Sequence, residues 1–240
     1  MAKSGEKAKG AKQKKPPRAR PLWLRILRWA ALVVLVLALI PLLLTPLYRV
    51  VPPISTVMIF EGVAGDGARR DWVPLEDIST DLVKAVISSE DNFYCRHHGV
   101  DWGAVREVIE SGSPRGASTI AMQTARNLFL WRSGGWVRKA LEVPIALYAN
   151  LVLGKRRLME IYLNIAEWGP GIFGIEAAAQ YHFGVAAADL SPAQSRLLVI
   201  TLPNPTGRDP ANPSSTMLRL SEIIAGRVAD GVGTECLGFS

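Results

Sequence analysis

The sequence predicts a mainly helical, all-α domain behind one N-terminal transmembrane helix. Three observations carry that expectation. From Ile78 onward, apolar residues recur at helical spacing in seven successive segments, roughly 79–91, 101–111, 118–129, 137–153, 155–166, 173–181 and 191–202. Ahead of them lie twenty uncharged residues, Trp29 to Tyr48, rich in Leu and Val. Strand-like composition is confined to Thr56-Val57-Met58-Ile59-Phe60, and no internal repeat is visible.

The chain begins with residues 1–21, a tail rich in Lys, Pro and Ala with the composition of a disordered segment. Residues 1–28 hold ten Lys and Arg against the single acid Glu6, a local charge of +9. The other 212 residues therefore carry −2 of the total +7, so the basic balance belongs to the tail. Such a tail alone would suit nucleic acid, but the apolar run after it points to a membrane. Twenty residues at about 1.5 Å each span roughly 30 Å, the hydrocarbon thickness of a bilayer. Arg25 and Arg28 flank the cytoplasmic side, and Trp23, Trp29 and Tyr48 suit the interfaces. Residues 22–50 are thus expected to be an uncleaved anchor, because the run exceeds a signal-peptide core and no A-x-A site follows. Pro41 and Pro46 leave its exit boundary open.

Residues 51–77 read as a linker, with Pro52-Pro53 and Gly62–Gly67 as turn chemistry and the possible strand at 56–60. A domain over 78–225 and a C-terminal tail over 226–240 complete the expected organisation. The first helix of that domain places Leu82, Val83, Val86 and Ile87 on its apolar side. Glu90 follows Val86 by four residues and Leu82 by eight, so it shares that stripe. A carboxylate there is partly desolvated and sits at the negative end of the helix dipole, and both effects favour its protonated form. Glu90 is therefore a candidate general base or acid. The competing reading is a helix-end Glu bonded to a nearby backbone or basic group. Asp91 begins the next face, and Gly99 marks a sharp turn.

Further along, Ser118 is expected to cap a helix that presents Thr119, Gln123 and Arg126 on one stripe. A hydroxyl, an amide and a guanidinium together suit an oxygen-rich anion; the alternative is a surface stripe. Asn127 to Trp131 adds an apolar run that suits either the core or a membrane surface. Arg138 and Glu142 lie four apart and can pair on one helical face, an exposed pair of this kind being worth at most about 1 kcal/mol. Lys155 to Asn164 is basic first and amphipathic afterwards, and Leu158, Ile161, Tyr162 and Ile165 have core-like spacing.

Other signals carry less. Cys95 and Cys236 could pair in an oxidising compartment, though their spacing does not require it. Cys95, His97 and His98 crowd into four residues with no distant partner, a poor zinc site, so no metal ligand is assigned. Gly169-Pro170-Gly171-Ile172-Phe173-Gly174 fits G-x-G-x-x-G but follows a helix, which argues against a dinucleotide site. Ser4-Gly5-Glu6-Lys7 fits S-x-x-K, yet it lies in the tail and no K-T-G occurs, so transpeptidase chemistry is excluded. Glu160 reads as structural in its helix.

Four blocks in order resemble the family 51 glycosyltransferases, which polymerise peptidoglycan. Glu90, Asp91, His97 and Gly99 match the family's first motif, with Tyr94 at its Phe position. Gly116, Ser118, Thr119, Gln123 and Asn127 match the second, where Met122 replaces a Gln and Arg126 a Lys. Arg138, Lys139 and Glu142 match the third, and Lys155 to Asn164 the fourth. Leu202-Pro203-Asn204-Pro205 resembles the closing segment, so similarity runs over about residues 75 to 210. At the position of an Arg often found eight residues before Glu142 stands Gly134, with Arg132 nearby. Pro144, two residues past Glu142, either starts a new helical stretch or kinks one. The single anchor, with no second catalytic domain, looks like the family's monofunctional members.

The resemblance implies a lysozyme-like helical fold beside the bacterial inner membrane, single-pass, with the N-terminus cytoplasmic and the catalytic domain periplasmic. It implies lipid II as acceptor, the growing lipid-linked glycan as donor, inversion at the anomeric carbon and release of undecaprenyl pyrophosphate. Glu90 would be the general base. Glu142 would orient cations or assist at the donor, and Arg126, Arg138 and Lys139 would neutralise the pyrophosphate. Asp91, Tyr94, His97, Ser118, Thr119, Gln123 and Asn127 would contact substrate. No cofactor is firmly implied, and a divalent cation (Mg or Mn) at the pyrophosphate stays open. Proteins of the divisome or elongasome are the partners it suggests, and nucleic acid is not one. The rival readings are a lysozyme-like or lytic glycan-cleaving enzyme and a non-catalytic membrane-anchored scaffold.

Overall fold

A computed structural model describes residues 21–64, 69–112, 116–131 and 133–239; Arg132 and nearly all of the basic tail lie outside them. The chain divides into two units, residues 1–39 and 40–240. Helix α1, Leu22–Leu47, begins in the first and ends in the second, and is long and apolar enough to cross a membrane. It contains Pro41 and Pro46 without ending at either. Pro46 has no N–H for the Leu42 carbonyl four residues back. The Tyr148 hydroxyl donates to that carbonyl instead, at 3.0 Å.

Helix α2, Thr56–Ala64, occupies the stretch expected to be a strand. The Ser55 hydroxyl accepts from the Met58 N–H at 3.1 Å and supplies a helical start. Val57 and Met58 turn into the core while Ile59 and Phe60 stay exposed, a split that fits a helix packed on one side. Beyond it, Leu75 is fully buried, so the expected linker contributes to the core. The Asn164 side chain accepts from the Val73 N–H at 2.9 Å and donates to the Val73 carbonyl at 2.8 Å, which pins this segment.

Helix α3, Thr80–Glu90, buries Leu82, Val83, Val86 and Ile87 as its spacing predicts. It packs on α8, Pro192–Thr201, and α9, Ser215–Ala229. Helix α4, Trp102–Ser111, buries none of its residues. Helix α5, Ile120–Phe129, lies along α6, Trp136–Ile165. The backbone of α6 leaves helical torsions at Gly154 (φ 72°) and not at Pro144, which agrees with two helices meeting near residue 154. The Gly-rich stretch after α6 is the turn of a two-stranded antiparallel hairpin, β1 Glu167–Gly169 and β2 Ile172–Phe173. Helix α7, Ile175–Phe183, follows it.

Around Trp168, Tyr94, Tyr162 and Phe173, all fully buried, the core is continuous through α3, α5 and α6. Helix α9 runs past residue 225, and Leu237 beyond it is buried. A Cys95–Cys236 disulfide fastens that end to the loop after α3. The stretch expected as a C-terminal tail is therefore packed.

Candidate active site

Glu90 is the last residue of α3. Its Oε2 accepts from the Gln123 Nε2 at 3.0 Å, and its Oε1 from the Ser89 hydroxyl at 3.3 Å. Burial pushes its pKa up from the ordinary carboxylate value. The Gln123 and Ser89 hydrogen bonds and the nearby Arg126 charge work against that, and Asp91 adds to it. A carboxylate whose proton affinity is raised in this way is a stronger general base than an exposed one. Behind it, the Tyr162 hydroxyl donates to the Gln123 Oε1 at 3.2 Å.

The neighbouring Asp91 faces inward and is only 7% exposed. Its Oδ1 lies 2.7 Å from His97 Nε2 and its Oδ2 accepts from the Ile120 N–H at 3.0 Å. Because His97 Nδ1 accepts from the Gly99 N–H at 3.1 Å, the ring proton sits on Nε2, facing Asp91. The Thr119 hydroxyl donates to the Gly99 carbonyl at 2.6 Å and accepts from the Met122 N–H, so Thr119, not Ser118, caps α5. Gly99 adopts φ +99°, and a Cβ there would stand 2.8 Å from the Ala146 carbonyl oxygen. The tight turn therefore requires glycine. Tyr94 is fully buried; its hydroxyl donates to the Lys155 carbonyl at 2.7 Å. The Lys155 ammonium lies 4.4 Å from the Tyr94 ring centroid, and burial lowers its pKa to about 8.

A second carboxylate, Glu142 on α6, is 1% exposed. It pairs with Arg138 one turn back and with Lys139 Nζ at 2.9 Å. Lys139 also donates to the Ser118 hydroxyl, which links this cationic group to the start of α5. This is no exposed ion pair: both Glu142 oxygens are occupied inside the fold. Two cations on one buried carboxylate leave the group net positive, with Lys139 its more exposed member.

Beside α5 lies a cavity of about 320 Å³ lined by Gln123, Arg126, Asn127, Trp131 and Tyr162, with Glu167, Leu202 and Pro205 also in its wall. Arg126 supplies a positive charge at its wall, and the Arg126 Nε is 3.5 Å from the Asn127 side-chain oxygen. Glu90, Arg138, Lys139 and Glu142 are not in this lining. Glu90 is bonded to the lining residue Gln123, whereas Lys139 ties the other three to Ser118, just ahead of α5.

A sequence profile of the transglycosylase family matches residues 58–229, more than half of the chain. The chain belongs to the transglycosylase family. It is 50% identical over 199 residues to a protein of Agrobacterium fabrum, covering 80% of this chain and 88% of that one. A protein of Mesorhizobium japonicum is 50% identical over 219 residues, covering 87% and 93%. One of Brucella suis is 48% identical over 212 residues, covering 86% and 95%. Each of the three is described as a biosynthetic peptidoglycan transglycosylase.

In this transglycosylase the expected site residues divide into two groups. Glu90, Gln123, Arg126, Asn127, Ser118, Arg138, Lys139 and Glu142 gather on and around α5. Asp91, Tyr94, His97 and Thr119, expected to touch substrate, instead spend their polar groups on the protein. Asp91, Tyr94 and Thr119 are buried and His97 is half-buried, and their bonds shape the loop that follows Glu90. Met122, which departs from the family motif, is buried in the core. Sequence reasoning placed Tyr162 in the core and missed its hydroxyl on Gln123; a phenol one helix face away from the motifs gives no signal of its own. The fourth motif is scaffold: Arg157 pairs with Glu160 and donates to the Tyr48 carbonyl at 2.8 Å and the Val51 carbonyl at 3.1 Å. Among the described residues, no group of three His, Cys, Asp or Glu side chains is placed to hold a metal ion.

Proposed function

We propose that this transglycosylase polymerises peptidoglycan from lipid II, with Glu90 as general base. The family membership and the descriptions of its relatives support a glycosyltransferase of peptidoglycan synthesis. The observation that carries the mechanism is Glu90 itself: a half-buried carboxylate with a raised pKa, bonded to Gln123 and close to the Arg126 charge. Glu90 takes the proton of the acceptor's 4-hydroxyl as that oxygen attacks the donor's anomeric carbon. The carbon–oxygen bond to pyrophosphate breaks, its electron pair leaves with undecaprenyl pyrophosphate, and the centre inverts. Arg126, Arg138 and Lys139 stabilise the charge growing on that leaving group. Glu142 holds the last two in place.

Glycan cleavage fits less well, since hydrolases usually set a second carboxyl across the sugar, and Glu167 in the cavity wall already accepts from the Gly171 N–H at 3.3 Å. Here Glu142 is committed to two cations. The α1 helix and the disulfide support an inner-membrane anchor with the body in an oxidising compartment, the periplasm. A divalent cation, if used, would arrive with the pyrophosphate, and protein partners would be those of wall synthesis.

The test is incubation of the detergent-purified protein with labelled lipid II. Polymer should form with the wild type, and Glu90→Gln should reduce the rate roughly 10²-fold or more. A folded Glu90→Gln protein of near-normal activity would remove Glu90 from the base role, and shortening of preformed glycan would favour the cleaving enzyme.

A further inference from the structure

Tyr162 sits on α6, fully buried, with its ring in the core and its hydroxyl at the boundary of the cavity. That hydroxyl meets the Gln123 Oε1 at 3.2 Å, while the Gln123 Nε2 meets Glu90 at 3.0 Å. A glutamine side chain has a donor end and an acceptor end, and either can face a given neighbour. Only one orientation suits an ionised Glu90: the N–H must point at the carboxylate. The Gln123 oxygen then faces Tyr162 and needs a donor there. The reverse orientation would set a carbonyl oxygen against Glu90, which is tolerable only when Glu90 carries a proton. A hydroxyl that donates to the Gln123 oxygen favours the first orientation.

We propose that Tyr162 is a positioning residue for the transglycosylation step, holding the Gln123 amide with its N–H toward Glu90 and so keeping Glu90 ionised and ready to accept a proton. The relay runs from a core residue on α6, through α5, to the end of α3. Tyr162 can serve because it keeps its own proton: burial pushes its phenol well above the usual value, and the Glu90 charge adds to that. It acts through Gln123 and is not itself the base. The other charged groups acting on Glu90 are Asp91, which raises its proton affinity, and Arg126, which lowers it. Both stay in place when the phenol oxygen is removed, so a Tyr162→Phe change isolates the relay. The inference rests on the base role proposed for Glu90, but the orientation argument needs only the three side chains.

The test uses the full chain in detergent. Glu90 is titrated by the protonated-carboxyl infrared band that disappears in Glu90→Gln, and the pH–rate profile for lipid II polymerisation is recorded in parallel. Tyr162→Phe keeps the ring and the core. Its Glu90 midpoint should move upward, and the acid limb of the profile should move with it. On that limb the rate should fall roughly fivefold, the worth of one hydrogen bond, and it should recover at higher pH. Gln123→Met should move the midpoint in the same direction, and adding Tyr162→Phe to it should change nothing more. An unmoved Glu90 midpoint in Tyr162→Phe, or a loss of rate equal at every pH, would overturn the proposal and leave Tyr162 a core residue. Should Tyr162→Phe fail to fold, the Gln123→Met midpoint decides: no shift there also overturns it. An active Glu90→Gln would refute the base role alone, since the infrared midpoint still reads the relay.

Discussion

Replacing Asp91 by Asn should destabilise the fold strongly, because the hydrogen bonds around Asp91 have a fixed direction. The Gly99 N–H donates to His97 Nδ1, so His97 must offer its Nε2 proton to Asp91 Oδ1. The Ile120 N–H donates to Oδ2. Both carboxylate oxygens face donors. Asparagine has one oxygen and one amino group, so one donor must face another donor inside the protein. His97 cannot relieve this by moving its proton, since a protonated Nδ1 would then oppose the Gly99 N–H. The change also removes a negative charge from the first turn of α5, where the helix dipole favours it.

A hydrogen bond to a charged group contributes about 1.5–3 kcal/mol, and a buried polar group left unpaired costs about 1–3 kcal/mol. Allowing for overlap between these terms, a loss of about 3 kcal/mol is expected. For a domain of this size that lowers the melting temperature by roughly 10 °C. Thermal unfolding of the detergent-solubilised variant, followed by circular dichroism, measures it. If Asp91 were instead a substrate contact, Asp91→Asn would slow turnover and melt near the wild type. A melting temperature within about 2 °C of wild type would refute the buried-network account.

Three further outcomes are expected. Because burial raises the folded pKa of Glu90 above its unfolded value, its charge opposes folding once the pH exceeds the unfolded value. Glu90→Gln should therefore melt higher than wild type at pH 7 while losing activity, with the gap closing as the pH falls through the ordinary carboxylate range; a lower melting temperature at pH 7 would contradict the shift. Removing the disulfide with paired Cys95→Ser and Cys236→Ser changes frees a loop with a sequence separation of 141 residues; chain entropy puts its worth at up to about 5 kcal/mol, read as a fall in the denaturant midpoint that the wild type reproduces on reduction. Arg126→Ala should slow lipid II turnover more than it weakens lipid II binding, whereas Arg126→Lys should retain most activity, and wild-type turnover by Arg126→Ala would dismiss the pyrophosphate role.

The regular helices were legible because their apolar stripes are clean. Leu82, Val83, Val86 and Ile87 announce α3, and Gly154 announces the break in α6. Helix α2 was not legible, since Thr56 to Phe60 is β-branched and aromatic in composition and only packing against α5 decides its form. Helix α9 was missed because Ser221 takes a buried place between Met217 and Ile224 and interrupts the pattern. The disulfide and the Asp91–His97–Gly99 ring join distant or reversed stretches of chain, and no local period encodes them. The motif residues themselves were visible, but which of them bond within the fold and which line the cavity was not. That division depends on which side chains the fold buries.

Residues of the first three motifs are all tied to α5 or to the segment leading into it. Glu90 ends α3, Glu142 lies within α6, and each is tied to a different part of α5 through Gln123 or through Lys139 and Ser118. Helix α5 is itself fixed at its start by Asp91 and Thr119, and along its length by α6. Near its end, the Thr56 hydroxyl donates to the Asn127 and Leu130 carbonyls and holds α2 against it. A shift of α5 would therefore disturb Glu90 and the Arg138–Lys139–Glu142 group together. The fourth motif fastens the opposite end of this arrangement, because Arg157 and Asn164 grip the segment that leaves α1. Arg157 bonds to the Tyr48 and Val51 carbonyls, just past the end of α1. Loosening Arg157 should consequently impair turnover of membrane-bound lipid II more than turnover of a short-chain soluble analogue.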